Sequence, residues 1–142
     1  MKILVTGAKG FIGKNLIAEL RNRKYEEIYE FDRDTDISLL DFYCSNCDFI
    51  FHLAGVQRPK EEKEFMEGNF GFTSILLDLL KKYRNTCPIV VSSSIQASLD
   101  NPYGKSKKAG EDLMFTYAEE TGAKVMIYRF PNVYGKWNCY KK

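Results

Sequence analysis

Met1-Lys-Ile-Leu-Val-Thr-Gly-Ala-Lys-Gly-Phe-Ile-Gly13 opens the chain and decides how the rest is read. Residues 2–5 are rich in β-forming side chains and too few for a helix. Gly7 and Gly10 permit backbone conformations closed to other residues, and Ile12, Leu16, Ile17 and Leu20 then recur at helical spacing. The order is strand, glycine turn, helix.

A turn of this kind lets a pyrophosphate come within hydrogen-bonding distance of backbone N–H groups at a helix N-terminus, where the macrodipole also favours an anion. A Cβ in the turn would block that approach. The spacing Gly7-x-x-Gly10-x-x-Gly13 departs from the Gly-x-Gly-x-x-Gly of dehydrogenase fingerprints. Its context carries the reading, because Asp32 follows 19 residues after Gly13 at the end of a second apolar stretch, residues 28–31. The candidates for holding a dinucleotide are Gly7, Lys9, Gly10, Phe11, Ile12 and Gly13 in the turn and Asp32 and Arg33 after the second strand. Asp32 would accept a ribose 2′-OH, whereas Arg33 could pair with a 2′-phosphate.

The chain has 142 residues, 44% hydrophobic and 28% charged, enough for one core and one domain spanning 1–142. The net charge of +2 is spread along the sequence, so there is no footprint for nucleic acid or a membrane surface, and a small-molecule partner is expected. No apolar run approaches the roughly 20 residues of a membrane span and the N-terminus enters a strand at once, so neither anchor nor signal peptide is expected and the location is read as cytoplasmic. Cys44-Ser-Asn-Cys47 has C-x-x-C spacing, but with no second pair and His52 as the only histidine, free thiols rather than a metal site are expected.

Sixteen residues, 32–47, separate the second strand from the apolar run 48–54. That interval holds a turn and one helix of about residues 38–45, but not a further strand-helix unit, so the usual third strand is read as vestigial. A right-handed crossover then places the strand of residues 48–53 on the far side of the first, and a cleft opens at the reversal. Leu53, Ala54 and Gly55 lie at the carboxyl end of that strand and join the cofactor-binding candidates. From Phe65 to Tyr83 the stripe Phe65, Asn69, Phe72, Leu76, Leu79, Tyr83 predicts one helix face, with Gly68 and Gly71 marking a bend beside the anomalous Asn69.

Residues 88–94 form a buried strand ending in three serines, at the sheet edge where ligands sit in open α/β folds, which singles out Ser94. Asn101 and Pro102 read as the cap and first residue of a helix running to Thr121-Gly122, with Tyr103 and Lys107 four apart on one face. A tyrosine of pKa about 10 can act near neutral pH when a cation favours its phenolate, and Lys107 is that cation. A hydroxyl such as Ser94 would stabilise charge on a carbonyl oxygen as hydride arrives. A last strand covers residues 124–129.

These pieces together resemble the extended short-chain dehydrogenase/reductase family of nucleotide-sugar epimerases, dehydratases and reductases. The matching stretches are Thr6-Gly-Ala-Lys-Gly-Phe-Ile-Gly13, Asp48-Phe-Ile-Phe-His-Leu-Ala-Gly55, Asn69, Ser92-Ser-Ser94, Tyr103-Gly-Lys-Ser-Lys107 and Arg129-Phe-Pro-Asn-Val-Tyr-Gly135. The resemblance implies an α/β, Rossmann-like doubly wound parallel sheet of about five strands. It implies Tyr103 as acid/base, Lys107 lowering its pKa and holding the nicotinamide ribose, Ser94 on the reacting oxygen, Asn69 in a proton relay, and Asn132 on the sugar-nucleotide phosphates. The loop residues Gln57 and Arg58 are further substrate candidates.

The wording of residues 92–98, 100–107 and 128–137 is similar to the reductase part of bacterial capsular-polysaccharide enzymes that reduce a UDP-linked 4-keto sugar with NADPH. That likeness favours NADP(H), with NAD(H) the alternative, and a UDP-sugar partner. It also implies a C-terminal substrate lobe and a cupin domain that this sequence lacks. Slow sugar reduction by the 142 residues alone, exposed apolar surface and self-association into a homo-oligomer are therefore expected. Two other readings stay open: an epimerase or dehydratase that retains NAD, and a non-catalytic dinucleotide-binding fragment.

Overall fold

The computed structural model describes residues 1–55 and 60–131. Five strands, β1 (Ile3–Thr6), β2 (Ile28–Phe31), β3 (Phe49–His52), β4 (Ile89–Ser94) and β5 (Val125–Phe130), form one parallel sheet in the order β2-β1-β3-β4-β5. The chain leaves β1 on one side to make β2 and returns on the other to make β3. Between β2 and β3 it makes only α2 (Ile37–Asn46), as the sixteen-residue interval requires. The carboxyl ends of β1 and β3 therefore flank the point where the winding direction reverses, which is where a parallel sheet opens a cleft.

The sheet is covered on both faces at its centre, where β1 is buried throughout, while the edge strand β5 is partly exposed. On one face Ile3 and Val5 pack against Ile17 and Leu20 of α1 (Phe11–Asn22). On the other, Leu4, Ile50 and Ile89 pack against Leu40 of α2, Leu76 and Leu80 of α4 (Phe72–Lys82), and Met114 and Tyr117 of α5 (Pro102–Thr121). Cys44, Cys47 and Cys87 belong to this second core as free thiols, and burial pushes the Cys44 thiol up to about 12. Among the described residues no helix is long and apolar enough to cross a membrane.

The helix ends follow local chemistry. Asp36 accepts the Ser38 N–H at 2.9 Å to cap α2. Asn101 accepts the Gly104 N–H at 2.7 Å with Pro102 opening α5, a cap worth about 1 kcal/mol, and Gly122 ends α5 at φ 76°.

One expectation shifts. The stripe drawn from Phe65 to Tyr83 supposes a regular helix, but α3 (Lys63–Met66) passes into a π turn (Glu67–Gly71) before α4 begins. The wider turn changes the phase of every later position. Asn69 and Leu76 remain buried, but the buried face of α4 becomes Thr73, Leu76, Leu77 and Leu80, and Tyr83 ends 37% exposed. The bend expected at Gly68 and Gly71 is this turn.

Candidate active site

The glycine turn is folded flat against the end of β3. Gly7 has φ 70°, and a Cβ on it would sit 2.7 Å from the Ala54 nitrogen. A Cβ on Gly13 would sit 2.2 Å from the Gly7 carbonyl oxygen, so the first turn of α1 can approach only as glycine. Helix α1 starts from Gly10 with no side-chain cap and no acidic residue in its first turn. Its leading N–H groups, those of Phe11, Ile12 and Gly13, have no partner within the helix and point the positive end of the dipole outward. In front of them lies a cavity of about 460 Å³, lined by Gly7, Lys9, Gly10, Asp32 and Arg33 on one side, by Leu53, Ala54 and Gly55, and by Gly68 and Phe72 from the π turn and α4. The glycine-lined cradle beside a helix N-terminus is the donor set a pyrophosphate requires, so these residues fit a dinucleotide.

At the end of β2, both oxygens of the Asp32 carboxylate are engaged by the main chain. One accepts the Lys9 N–H at 2.8 Å and the other the Arg33 N–H at 2.7 Å. The Lys9 ammonium pairs with Asp34, a contact that raises its pKa. Asp32 therefore braces the turn, while the exposed Arg33 side chain stands at the cavity rim.

Beyond Gly55 the cleft meets a second group of side chains. A Cβ on Gly55 would lie 2.8 Å from Asn69 Oδ1 and 2.9 Å from Lys107 Nζ, so both polar atoms converge on one point of the cavity wall. The Asn69 amide donates to Ser106 Oγ at 2.9 Å, and that hydroxyl donates to the Tyr103 carbonyl at 2.7 Å. The Lys107 ammonium lies 5.8 Å from the centre of the Tyr103 ring, which is held edge-on by Phe65 at 5.5 Å. Burial pushes the Lys107 pKa down to about 8, with Glu111 one turn further on opposing that shift. Ser94 ends β4, where its hydroxyl accepts the Gln96 N–H at 3.1 Å and starts a 3₁₀ turn (Ile95–Ser98) leading to α5.

The fold thus brings Gly55, Asn69, Tyr103 and Lys107 to one end of the cradle and places Ser94 on the adjoining strand end. Gln57, Arg58 and Asn132 lie outside the described residues. Reasoning from sequence missed two features. One is the buried set Thr6, His52 and Thr73 behind the cleft. The other is Glu111, 3% exposed, which accepts from Ser93 at 2.7 Å and takes a two-pronged ion pair from Arg129 at 2.8 and 2.9 Å. The lone histidine after an apolar strand and a glutamate four residues past Lys107 were the available signals.

A reversing parallel sheet with a glycine turn at the reversal and a Tyr-x-x-x-Lys helix beside it marks the short-chain dehydrogenase/reductase class of the extended type. Residues 3–142 match the NAD dependent epimerase/dehydratase family, and the chain belongs to it. It is similar to a UDP-2-acetamido-2,6-beta-L-arabino-hexul-4-ose reductase of Pseudomonas aeruginosa, with 44% identity over 97% of this chain and 37% of the relative. Among solved structures, the capsular polysaccharide assembling protein CapF from Staphylococcus aureus is 50% identical with a TM-score of 0.84, over 96% of this chain and 37% of that one. A UDP-glucuronic acid 4-epimerase from Bacillus cereus in complex with NAD shares the fold at 23% identity, with a TM-score of 0.82 over 95% of this chain and 58% of that one. The chain spans little more than a third of the length of the first two.

Proposed function

We propose that this chain is the dinucleotide-binding part, residues 1–142, of an NADPH-dependent reductase that acts on the 4-keto group of a UDP-linked deoxy sugar, in the synthesis of capsular or other surface polysaccharide precursors. The observation that carries the reading is the convergence of Asn69 Oδ1 and Lys107 Nζ on Gly55, where the dinucleotide cradle meets the Tyr103 ring. The identity to the Pseudomonas reductase supports the substrate class. The exposed Arg33 side chain at the cavity rim supports NADP(H) over NAD(H), because a guanidinium there can meet a 2′-phosphate.

The bound cofactor would supply hydride to the carbonyl carbon. The residues of this chain handle the proton and the charge. Tyr103 gives its phenolic proton to the carbonyl oxygen while Lys107, still mostly protonated at pH 7, holds positive charge near the ring. Ser94 donates to the same oxygen, and Asn69 holds the relay behind Lys107. Gln57, Arg58 and Asn132 are proposed to contact the sugar nucleotide. Cytoplasmic location and a homo-oligomeric state complete the proposal, the latter supported by exposed Ile95, Leu99 and Tyr128 near β5; light scattering that finds a monomer at every concentration removes it.

Calorimetric titration of the chain with NADPH and with NADH tests the cofactor. Tighter NADPH binding is expected, and tighter NADH binding overturns that part. In the protein that carries the downstream sequence, Tyr103→Phe should lower 4-keto sugar reduction by about 10² to 10⁴-fold with NADPH affinity retained. Near-normal turnover would remove Tyr103 from the chemistry.

A further inference from the structure

His52 is the only histidine in the chain, and the chemistry above makes no use of it. It ends β3, 3% exposed, between the strand that feeds the glycine turn and the π turn that carries Asn69. Phe72 packs beside its ring, with centres 5.7 Å apart.

Its hydrogen bonds favour one arrangement of protons. Thr73 donates its hydroxyl proton to the Asn69 carbonyl at 2.9 Å. Toward His52 Nε2, also 2.9 Å away, Thr73 Oγ1 can then only accept, so Nε2 carries the ring proton. Nδ1 is left as an acceptor, and Thr6 Oγ1 donates to it at 2.7 Å. Thr6 Oγ1 in turn accepts the Ala54 N–H at 3.2 Å and shares the Leu53 N–H, also at 3.2 Å, with the Thr6 carbonyl oxygen. The opposite tautomer would set the Nε2 lone pair against a hydroxyl whose proton is already committed, in a site with no access to water. Burial, reinforced by the Lys107 charge, pushes the ring pKa down to about 3, so the imidazole stays neutral.

The two ends of this chain of bonds are functionally distinct places. One end is the backbone at residues 53 and 54, the wall against which Gly7 packs. The other is the carbonyl of Asn69 inside a π turn, where the regular i to i+4 ladder is interrupted and a side-chain hydroxyl can help hold the backbone. We infer that His52 is a positioning residue: as the neutral Nε2–H tautomer it ties the cofactor-facing backbone of β3 to the π turn that aims Asn69, by way of Thr6 and Thr73. Its bearing on catalysis rests on the role proposed for Asn69; the tie itself rests on the geometry.

A chain labelled with ¹⁵N-histidine reports the ring directly, because it holds a single imidazole. The expected spectrum has a protonated Nε2 and a bare Nδ1, unchanged from about pH 8 to about pH 5. A protonated Nδ1, a mixture of tautomers, or titration at the ordinary value of 6.5 overturns the inference. A second measurement reads the coupling across the ring. Thr6→Val keeps the shape of Thr6 but removes its hydroxyl, and it should speed solvent exchange of the Asn69 side-chain amide by about tenfold, with Thr6→Ser restoring the slow rate. A folded Thr6→Val chain with unchanged Asn69 exchange overturns the tie, and if Thr6→Val does not fold, the tautomer measurement decides alone. Neither readout needs a cofactor, so failure to bind NADPH would sink the proposed function and leave this inference standing, and the reverse also holds.

Discussion

Glu111 and Lys107 sit one helical turn apart on α5 and are treated in opposite ways. Burial alone would raise the Glu111 pKa, yet the pair with Arg129 and the Ser93 hydroxyl more than offset it, and the carboxyl is held below its usual range. Burial of Lys107 is opposed only by the more distant Glu111 charge, and its pKa falls to about 8. A buried charge with matched partners can be purely architectural, and Glu111 serves to join α5 to the ends of β4 and β5. A buried charge left under-compensated is a cost that a purely structural position would shed, and here it faces the dinucleotide cradle and the Tyr103 ring.

Breaking the matched side should have the largest effect. Arg129→Met leaves the carboxylate of Glu111 buried with the Ser93 hydroxyl as its remaining hydrogen-bond partner, and stranding a buried charge is among the costlier single changes. A fall in Tm on the order of 10 °C is expected by calorimetry. A fall of only a degree or two would mean that Glu111 draws its stability from elsewhere and that the contrast with Lys107 is false.

The unmatched side should respond with the opposite sign. With a folded pKa of about 8 against 10.5 unfolded, Lys107 binds fewer protons in the folded state between those values, so stability rises as pH increases through that window. Below about pH 8 both states are charged and the folded one carries the full desolvation cost. Lys107→Met should therefore stabilise the chain at pH 7, by about 3 to 4 kcal/mol for the difference between 8 and 10.5 at roughly 1.4 kcal/mol per tenfold change in proton affinity, while abolishing the proposed chemistry. Urea unfolding at pH 7 and pH 9.5 checks it, since the variant's advantage should shrink at the higher pH. A destabilised variant at both values would make Lys107 an architectural residue after all.

The same contrast explains which features can be read from the sequence and which cannot. The glycine turn, the Asn101-Pro102 cap and the Tyr103–Lys107 spacing are local: each is written in adjacent residues whose backbone and helical geometry follow directly. The displaced third strand also follows from counting residues in one interval. The partners of each charge are not local. Arg129 and Ser93 meet Glu111 from two strands, each 18 positions away, and His52 meets Thr6 and Thr73 from 46 and 21 positions away. The direction of Asp32 is open in sequence because its carboxylate suits either a ribose or a backbone donor, and the Lys9 N–H that meets it comes from 23 positions away. The π turn escapes for a related reason. Phe65, Asn69, Phe72, Leu76, Leu79 and Tyr83 satisfy a regular helix, and nothing in that spacing marks residues 67–71 as the place where the ladder widens.

The smallest effect should come from Glu111→Gln, and it links the two sites. Glutamine keeps the volume and can still accept from Ser93, and Arg129, whose side chain is 40% exposed, can turn to water, so the loss of stability should be far smaller than for Arg129→Met. Its effect on Lys107 is the informative one. The Glu111 charge holds the Lys107 pKa up, so removing it while Arg129 stays positive should lower that pKa further, on the order of 0.5 pH unit given the partial cancellation within the ion pair. In ¹⁵N-lysine spectra the Lys107 ammonium should titrate at a lower pH in Glu111→Gln than in the parent chain. An unchanged or raised value would mean that the two charges are electrostatically independent and that burial alone sets the state of Lys107.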